Sequence, residues 1–121
     1  MVESGYYFGF PHRSGEYPNS KDESEIVLER MENPDMEFFT LSDESPRVPF
    51  TDFLRKKGYD THDYELTQII RKSYPIVIQH KGYYNRPRPA QVNSSIQPAE
   101  SKTGATPSYP AGHTFQAYLM A

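Results

Sequence analysis

The chain has 121 residues, the length of one ordinary domain and too short for two independent ones. Only 36% of it is hydrophobic, the mean hydropathy is -0.80, and eleven prolines with seven glycines imply many turns, so the expectation is a modest core with long irregular arms. The absence of cysteine excludes a disulfide framework, a thiolate metal site and a thiol nucleophile, which leaves His, Lys, Arg, Asp, Glu and Ser to carry any chemistry.

The net charge of -3 is unevenly spread. Residues 1 to 60 carry seven Lys/Arg against thirteen Asp/Glu, and residues 61 to 121 carry six against three. That basic excess is too weak for a nucleic-acid partner, which calls for a dense basic stripe, but it suits a small anion. No basic segment followed by an apolar one opens the chain, and no eighteen apolar residues run together, so neither a signal peptide nor a membrane span is expected. A soluble protein, cytoplasmic or virion-associated, is the reading.

Residues 1 to 21, rich in Gly, Pro, Ser and Tyr, form an irregular arm that the rings of Tyr6, Tyr7, Phe8 and Phe10 would tack onto the body formed by residues 22 to 121. DESEIVLERME, residues 22 to 32, predicts a helix with acidic residues in its first turn and Ile26, Val27 and Met31 roughly on one face. After Pro34 come the apolar pair Phe38 and Phe39 and turn residues from Ser42 to Pro46. A short helix is expected from about Thr51 to a close at Gly58. Residues 62 to 73 give the clearest helix, with Leu66, Ile69, Ile70 and Ser73 at i, i+3, i+4 and i+7 and Asp60 or Thr61 as cap. Pro75 should break or restart it, opening a second helix to about Asn85. Residues 86 to 110 then read as a long polar loop, and a last helix from about Ala111 places Phe115, Tyr118 and Leu119 on one face. No segment reads as a sheet, so the fold class is all-α.

Two constellations hold residues with chemistry. Lys81 and Arg88 are seven apart, nearly one direction on a continuous helix, and two cations on one side make a place for an anion. Pro87 and Pro89 bias Arg86 and Arg88 away from helical geometry, so Arg88 should be the first residue past the helix end, turned by Pro89 toward the loop. Lys81, Arg86 and Arg88 also suit a solvated cluster that complements the helix dipole. In PSYPAGHT, Gly112 lets the backbone approach a ligand, the helix N-terminus favours negative charge, and His113 can hold a proton near neutral pH and deliver it to a leaving group. The bland alternative makes His113 a first-turn residue bonded to a loop carbonyl. Taken together, the cations and backbone N–H groups would share the oxygens of a phosphate while the histidine serves the bond being broken.

The order K-x6-R-P from Lys81 to Pro89, then P-S-Y-P-A-G-H-T at residues 107 to 114, with twenty residues between Pro89 and Pro110, resembles the first two signature motifs of the type 2 phosphatidic acid phosphatase superfamily. The bacterial class A acid phosphatases and the vanadium haloperoxidases belong to that superfamily. The resemblance implies an all-α helical bundle of the acid phosphatase/vanadium haloperoxidase type, present incompletely and with an irregular N-terminal arm. It also implies that Lys81 and Arg88 bind phosphate oxygens, that the Gly112 N–H adds a donor, and that His113 is the general acid. The family pattern is P-S-G-H, and Ala111 stands where its serine would touch the phosphate. The lost hydrogen bond is worth about 1 to 3 kcal/mol to a charged acceptor.

The family's third motif, S-R-x5-H-x3-D, supplies a second arginine, a nucleophilic histidine and its orienting aspartate, and no His, Arg or Asp follows His113. His12, His62 and His80 lie upstream, out of the family's order. FQAYLMA carries no cap or turn signal, so the expectation is the first part of a longer phosphatase that hydrolyses phosphomonoesters through a phosphohistidine. Its partner would be a phosphorylated small molecule, with no metal or other cofactor and with vanadate as a phosphate mimic. Two alternatives stand beside it: a vanadate-dependent haloperoxidase, and a noncatalytic phosphate-binding or structural module that joins a homo-oligomer or larger assembly through the arm. Residues 22 to 55 are broadly similar to the lead-in of small soluble members of the superfamily, some of them carried by phages.

Overall fold

The computed structural model describes residues 13 to 121, and every described element is helical. The expected aromatic cluster of Tyr6, Tyr7, Phe8 and Phe10, and His12, lie outside the described residues. No described helix is long and apolar enough to cross a membrane.

The helix expected at residues 22 to 32 is α1, Ser20–Arg30, which begins where the Asn19 side chain accepts hydrogen bonds from the Lys21 and Asp22 N–H groups at 3.0 and 3.1 Å. A side-chain acceptor at this position meets N–H groups that have no partner inside the helix. The next element, α2 (Met36–Ser42), occupies MEFFTLS, where the sequence pattern predicts nothing regular. Its cap is Asp35, which accepts from the Phe38 N–H at 2.9 Å. The third helix, α3 (Arg47–Lys56), starts one turn before the expected Thr51 and closes as expected at Gly58. There φ is +77°, a conformation glycine adopts at little cost, and the Gly58 and Tyr59 N–H groups close on the carbonyls of Arg55 and Leu54.

The largest correction concerns Pro75. One helix, α4 (Asp63–Tyr84), runs through it for 22 residues, where a break and restart were expected. A proline inside a helix forfeits one N–H bond and crowds the preceding turn, a cost of about 3 kcal/mol. Leu66, Ser73, Val77 and Lys81 are buried and fall on one side of the helix at i, i+7, i+11 and i+15, and that stripe runs past the exposed Pro75. Burial along it outweighs the local preference. The polar loop expected at residues 86 to 110 contains one helical turn, α5 (Pro89–Val92), and α6 spans Gly112–Met120.

The chain divides into two compact units. The first consists of residues up to Pro34 together with Gln79–Pro110. In it α1 packs on α5, Asn93 Nδ2 donates to Ser24 Oγ at 3.4 Å, and Ile96, Pro87 and Pro107 are buried. The second consists of Asp35–Ile78 and Ala111–Ala121. There α2 and α6 both pack on α3, and Leu66, Val77, Thr51 and Met120 are buried. Asp63, at the start of α4, receives Arg47 at 3.3 Å and Arg55 at 3.4 Å.

The buried face of α6 also differs from expectation. Phe115, Tyr118 and Leu119 are exposed, and the helix buries Gln116 and Met120 instead. The reason is polar: Gln116 Nε2 donates to the Ile70 carbonyl and to Ser73 Oγ, at 3.4 and 3.3 Å. A buried amide is retained where its donors are met, and apolar periodicity gives no weight to such a residue.

Candidate functional site

Lys81 and Arg88 belong to the first unit, and its backbone explains how they come together. Asn85, fully buried, takes φ +48°, and its N–H still bonds the Lys81 carbonyl at 2.8 Å; the chain then leaves the helix. Asparagine tolerates this left-handed conformation better than most residues. Arg88 lies four residues past the end of α4 in extended backbone, φ -72° and ψ 153°, the geometry a following proline favours. Its N–H donates to Gln91 Oε1 at 2.6 Å, which closes the first turn of α5. Arg88 is thus off the helix and turned to the loop, as its neighbouring prolines suggest.

Both cations meet the same stretch of loop. Lys81 is 6% exposed, and its Nζ donates to the Pro107 carbonyl at 2.6 Å. Arg88 Nε donates to the Thr106 carbonyl at 2.7 Å, and its Nη2 donates to the Thr103 carbonyl at 2.9 Å and to Thr106 Oγ1 at 3.2 Å. Ser108 closes the loop from the other side, its N–H bonding the Arg86 carbonyl at 2.9 Å and its hydroxyl the Pro87 carbonyl at 2.8 Å.

Among the described residues, no carboxylate pairs with Lys81 or Arg88. The electrostatics follow from this. Burial first, and the neighbouring Arg88 charge second, push the Lys81 ammonium down from its ordinary 10.5 to about 8. Buried cations are ordinarily paired, so Lys81, with the half-buried Arg88 beside it, has an unmet demand for negative charge. An ammonium has three N–H donors and a guanidinium five. The contacts above leave donors on Lys81 Nζ and on Arg88 Nη1 without a protein acceptor among the described residues.

The other expected site residues belong to the second unit. Ala111 is the N-cap of α6 in extended backbone, φ -71° and ψ 104°, and its carbonyl accepts the Phe115 N–H at 3.0 Å. It provides no side-chain cap. Gly112 and His113 follow as the first two helical residues, and both are half-buried. His113 therefore occupies the first turn, where the dipole favours negative charge.

Arg86, Ser108, Tyr17 and Glu23 organise the cation segment, and no local rule in the sequence assigns them that role. Arg86, grouped by sequence with the other cations, is 8% exposed, and its guanidinium bonds elsewhere. Its Nη2 donates to Glu23 Oε2 at 2.8 Å and to the Pro18 carbonyl at 2.9 Å, and its Nε donates to Ser20 Oγ at 3.1 Å. Its guanidinium also lies 4.8 Å from the centre of the Tyr17 ring. A cleft of about 220 Å³ is lined by Ser20, Glu23, Arg86, Arg88 and Ser108, among others.

Comparison of the chain with protein-family models, with curated proteins and with solved structures finds no match.

Proposed function

We propose that this chain holds the phosphate of a phosphomonoester and supplies the acid half of its hydrolysis, as its resemblance to the type 2 phosphatidic acid phosphatase superfamily implies. The observation that carries the reading is the buried Lys81 beside Arg88, two cations with no carboxylate partner among the described residues. An oxyanion answers that demand directly, since charge-assisted N–H···O bonds to phosphate offset the desolvation of both groups.

In this mechanism Lys81 and Arg88 each donate to nonbridging phosphate oxygens and neutralise charge that grows as the P–O bond breaks. The resemblance assigns a further donor to the Gly112 N–H and leaves the methyl of Ala111 in place of the hydroxyl that a serine would offer. His113 protonates the leaving oxygen as the ester bond breaks. The phosphoryl group passes to a histidine nucleophile and then to water. No histidine of this sequence matches that position, so the reaction draws its nucleophile from a segment bearing S-R-x5-H-x3-D.

Protein carrying that segment is expected to release phosphate from an aryl phosphate. His113→Ala should lower kcat about 10²- to 10⁴-fold. The loss should be smaller for a dinitrophenyl ester, whose leaving group needs no proton, than for an alkyl ester. Lys81→Ala and Arg88→Ala should remove turnover of all three. An intact protein, third motif verified, that turns over no phosphoester overturns the proposal.

A second reading, a noncatalytic module, has one observation in its favour. Every side-chain hydrogen bond of Lys81 and Arg88 among the described residues goes to the 103–107 loop, so the two cations also serve as anchors for that loop. Absence of both phosphate and vanadate binding, together with a large assembly by light scattering, would favour this reading.

A further inference from the structure

We infer that Arg86 is a positioning residue that fixes Arg88 for oxyanion binding by tying the cation segment to the start of α1. The inference rests on the phosphate reading above and adds to it a residue that the two motifs leave unassigned.

Arg86 stands two residues before Arg88, with the fully buried Pro87 between them. Its side chain bonds three groups at the start of α1: the Pro18 carbonyl, the Ser20 hydroxyl and the Glu23 carboxylate. Its carbonyl accepts the Ser108 N–H, and the next carbonyl, that of Pro87, accepts the Ser108 hydroxyl. The three-residue segment 86–88 is therefore gripped on one side by α1 and on the other by the loop whose Thr103 and Thr106 carbonyls hold the Arg88 guanidinium.

Rings reinforce the grip. Tyr17, beneath the Arg86 guanidinium, lies 6.1 Å from Tyr109 in a stacked arrangement, and Tyr109 meets Tyr84 edge-on at 4.8 Å. Tyr84 is the last residue of α4, three beyond Lys81. Arg13 fastens the preceding turn, its N–H bonding the Tyr84 carbonyl at 3.0 Å and its Nε the Tyr83 carbonyl at 2.9 Å.

The Arg86 side chain makes no bond to the loop that Lys81 and Arg88 share, and its ion pair with Glu23 already neutralises it. Its role is therefore to fix geometry. An oxyanion site loses affinity when its donors are misplaced by a fraction of an ångström, because a bidentate guanidinium demands a set orientation.

The test is titration of the full chain with inorganic phosphate, followed by calorimetry and by the Arg88 Nε–H resonance. Arg86→Gln should weaken phosphate binding about ten- to a hundredfold, as loss of an orienting partner does elsewhere. It should also shift the Arg88 Nε–H signal, although Lys81 and Arg88 remain in place. Arg86→Lys, which keeps the charge toward Glu23, should recover part of the affinity. Leu66→Ala, in the buried core of the second unit, should lower Tm and leave phosphate affinity unchanged. Should Arg86→Gln not fold, Glu23→Gln stands in for it: weakened binding supports the role, and unchanged binding overturns it. Arg86→Gln that loses Tm but keeps wild-type affinity and an unshifted Arg88 signal leaves Arg86 purely structural and overturns the inference, while the phosphate reading stands. A wild-type chain that binds no phosphate overturns both.

Discussion

Lys81→Met is expected to stabilise the protein at pH 7 and to abolish phosphate binding. Bringing the Lys81 ammonium from 10.5 to about 8, by burial first and the Arg88 charge second, corresponds to a cost on the order of 3 kcal/mol. Methionine keeps most of the volume and removes the charge. It also gives up the bond to the Pro107 carbonyl, worth about 1 kcal/mol, so the net gain should be about 1 to 2 kcal/mol. That corresponds to a Tm increase on the order of 5 °C.

The pH dependence has a definite sign. The folded-state pKa lies below the unfolded one, so between pH about 8 and 10.5 the unfolded chain binds more protons, and wild-type stability rises with pH across that window. The methionine variant lacks this rise. Its advantage should vanish near the top of the window and reverse by the value of the lost hydrogen bond. Thermal denaturation of both proteins from pH 6 to 10.5 checks it. A variant less stable by the same amount at every pH would show that Lys81 is an ordinary loop anchor. The trade of stability for a charged site is what a binding function retains against selection for a quiet core.

Arg88→Ala should also cost most of the phosphate affinity. It removes one of the two charges and all three donations that hold Thr103 and Thr106. At about 1.5 to 3 kcal/mol for each charge-assisted bond to the anion, the loss should be about 10²- to 10³-fold. Faster amide exchange across residues 103 to 107 should accompany it. Arg88→Lys keeps the charge but cannot serve two carbonyls and an anion from one ammonium, so it should recover at most about tenfold. Removing the Arg88 charge should also raise the Lys81 pKa, because that charge is one of the two causes of its depression. An Arg88→Ala protein that binds phosphate like the wild type would place the anion elsewhere.

The all-α class and four of the helices are legible from apolar spacing and end signals. Leu66 and Ser73 are buried as their seven-residue separation predicts, and Gly58 closes α3 as a C-terminal glycine should. Where the pattern misleads, the competing physics is local. α2 is hidden because Phe38 and Phe39 are adjacent and show no period, although Asp35 three residues before Phe38 is the signal that finds its start. Pro75 reads as a helix end only when the buried stripe on both sides of it is ignored. On α6 the amphipathic pattern points to Phe115, Tyr118 and Leu119, while the helix buries Gln116 because its amide finds two acceptors.

The candidate site divides in the same way. The turn of Arg88 toward the loop follows from Pro87 and Pro89, and is therefore readable in the chain. The role of Arg86 is not, because its partners Pro18, Ser20 and Glu23 lie 63 to 68 residues away and no local rule connects them. Ser108 is similar: a serine in PSYP looks like a turn residue until its hydroxyl is found on the Pro87 carbonyl, 21 residues back.

The central claim, that Lys81 and Arg88 together receive an oxyanion, is tested most directly by following the Lys81 side-chain resonances of the full chain through pH 6 to 11, with and without inorganic phosphate. The account predicts a midpoint of about 8 without phosphate and a clear upward displacement with it, since a bound anion restores the charge partner that burial has withheld. A Lys81 midpoint that is unchanged at saturating phosphate would contradict the account.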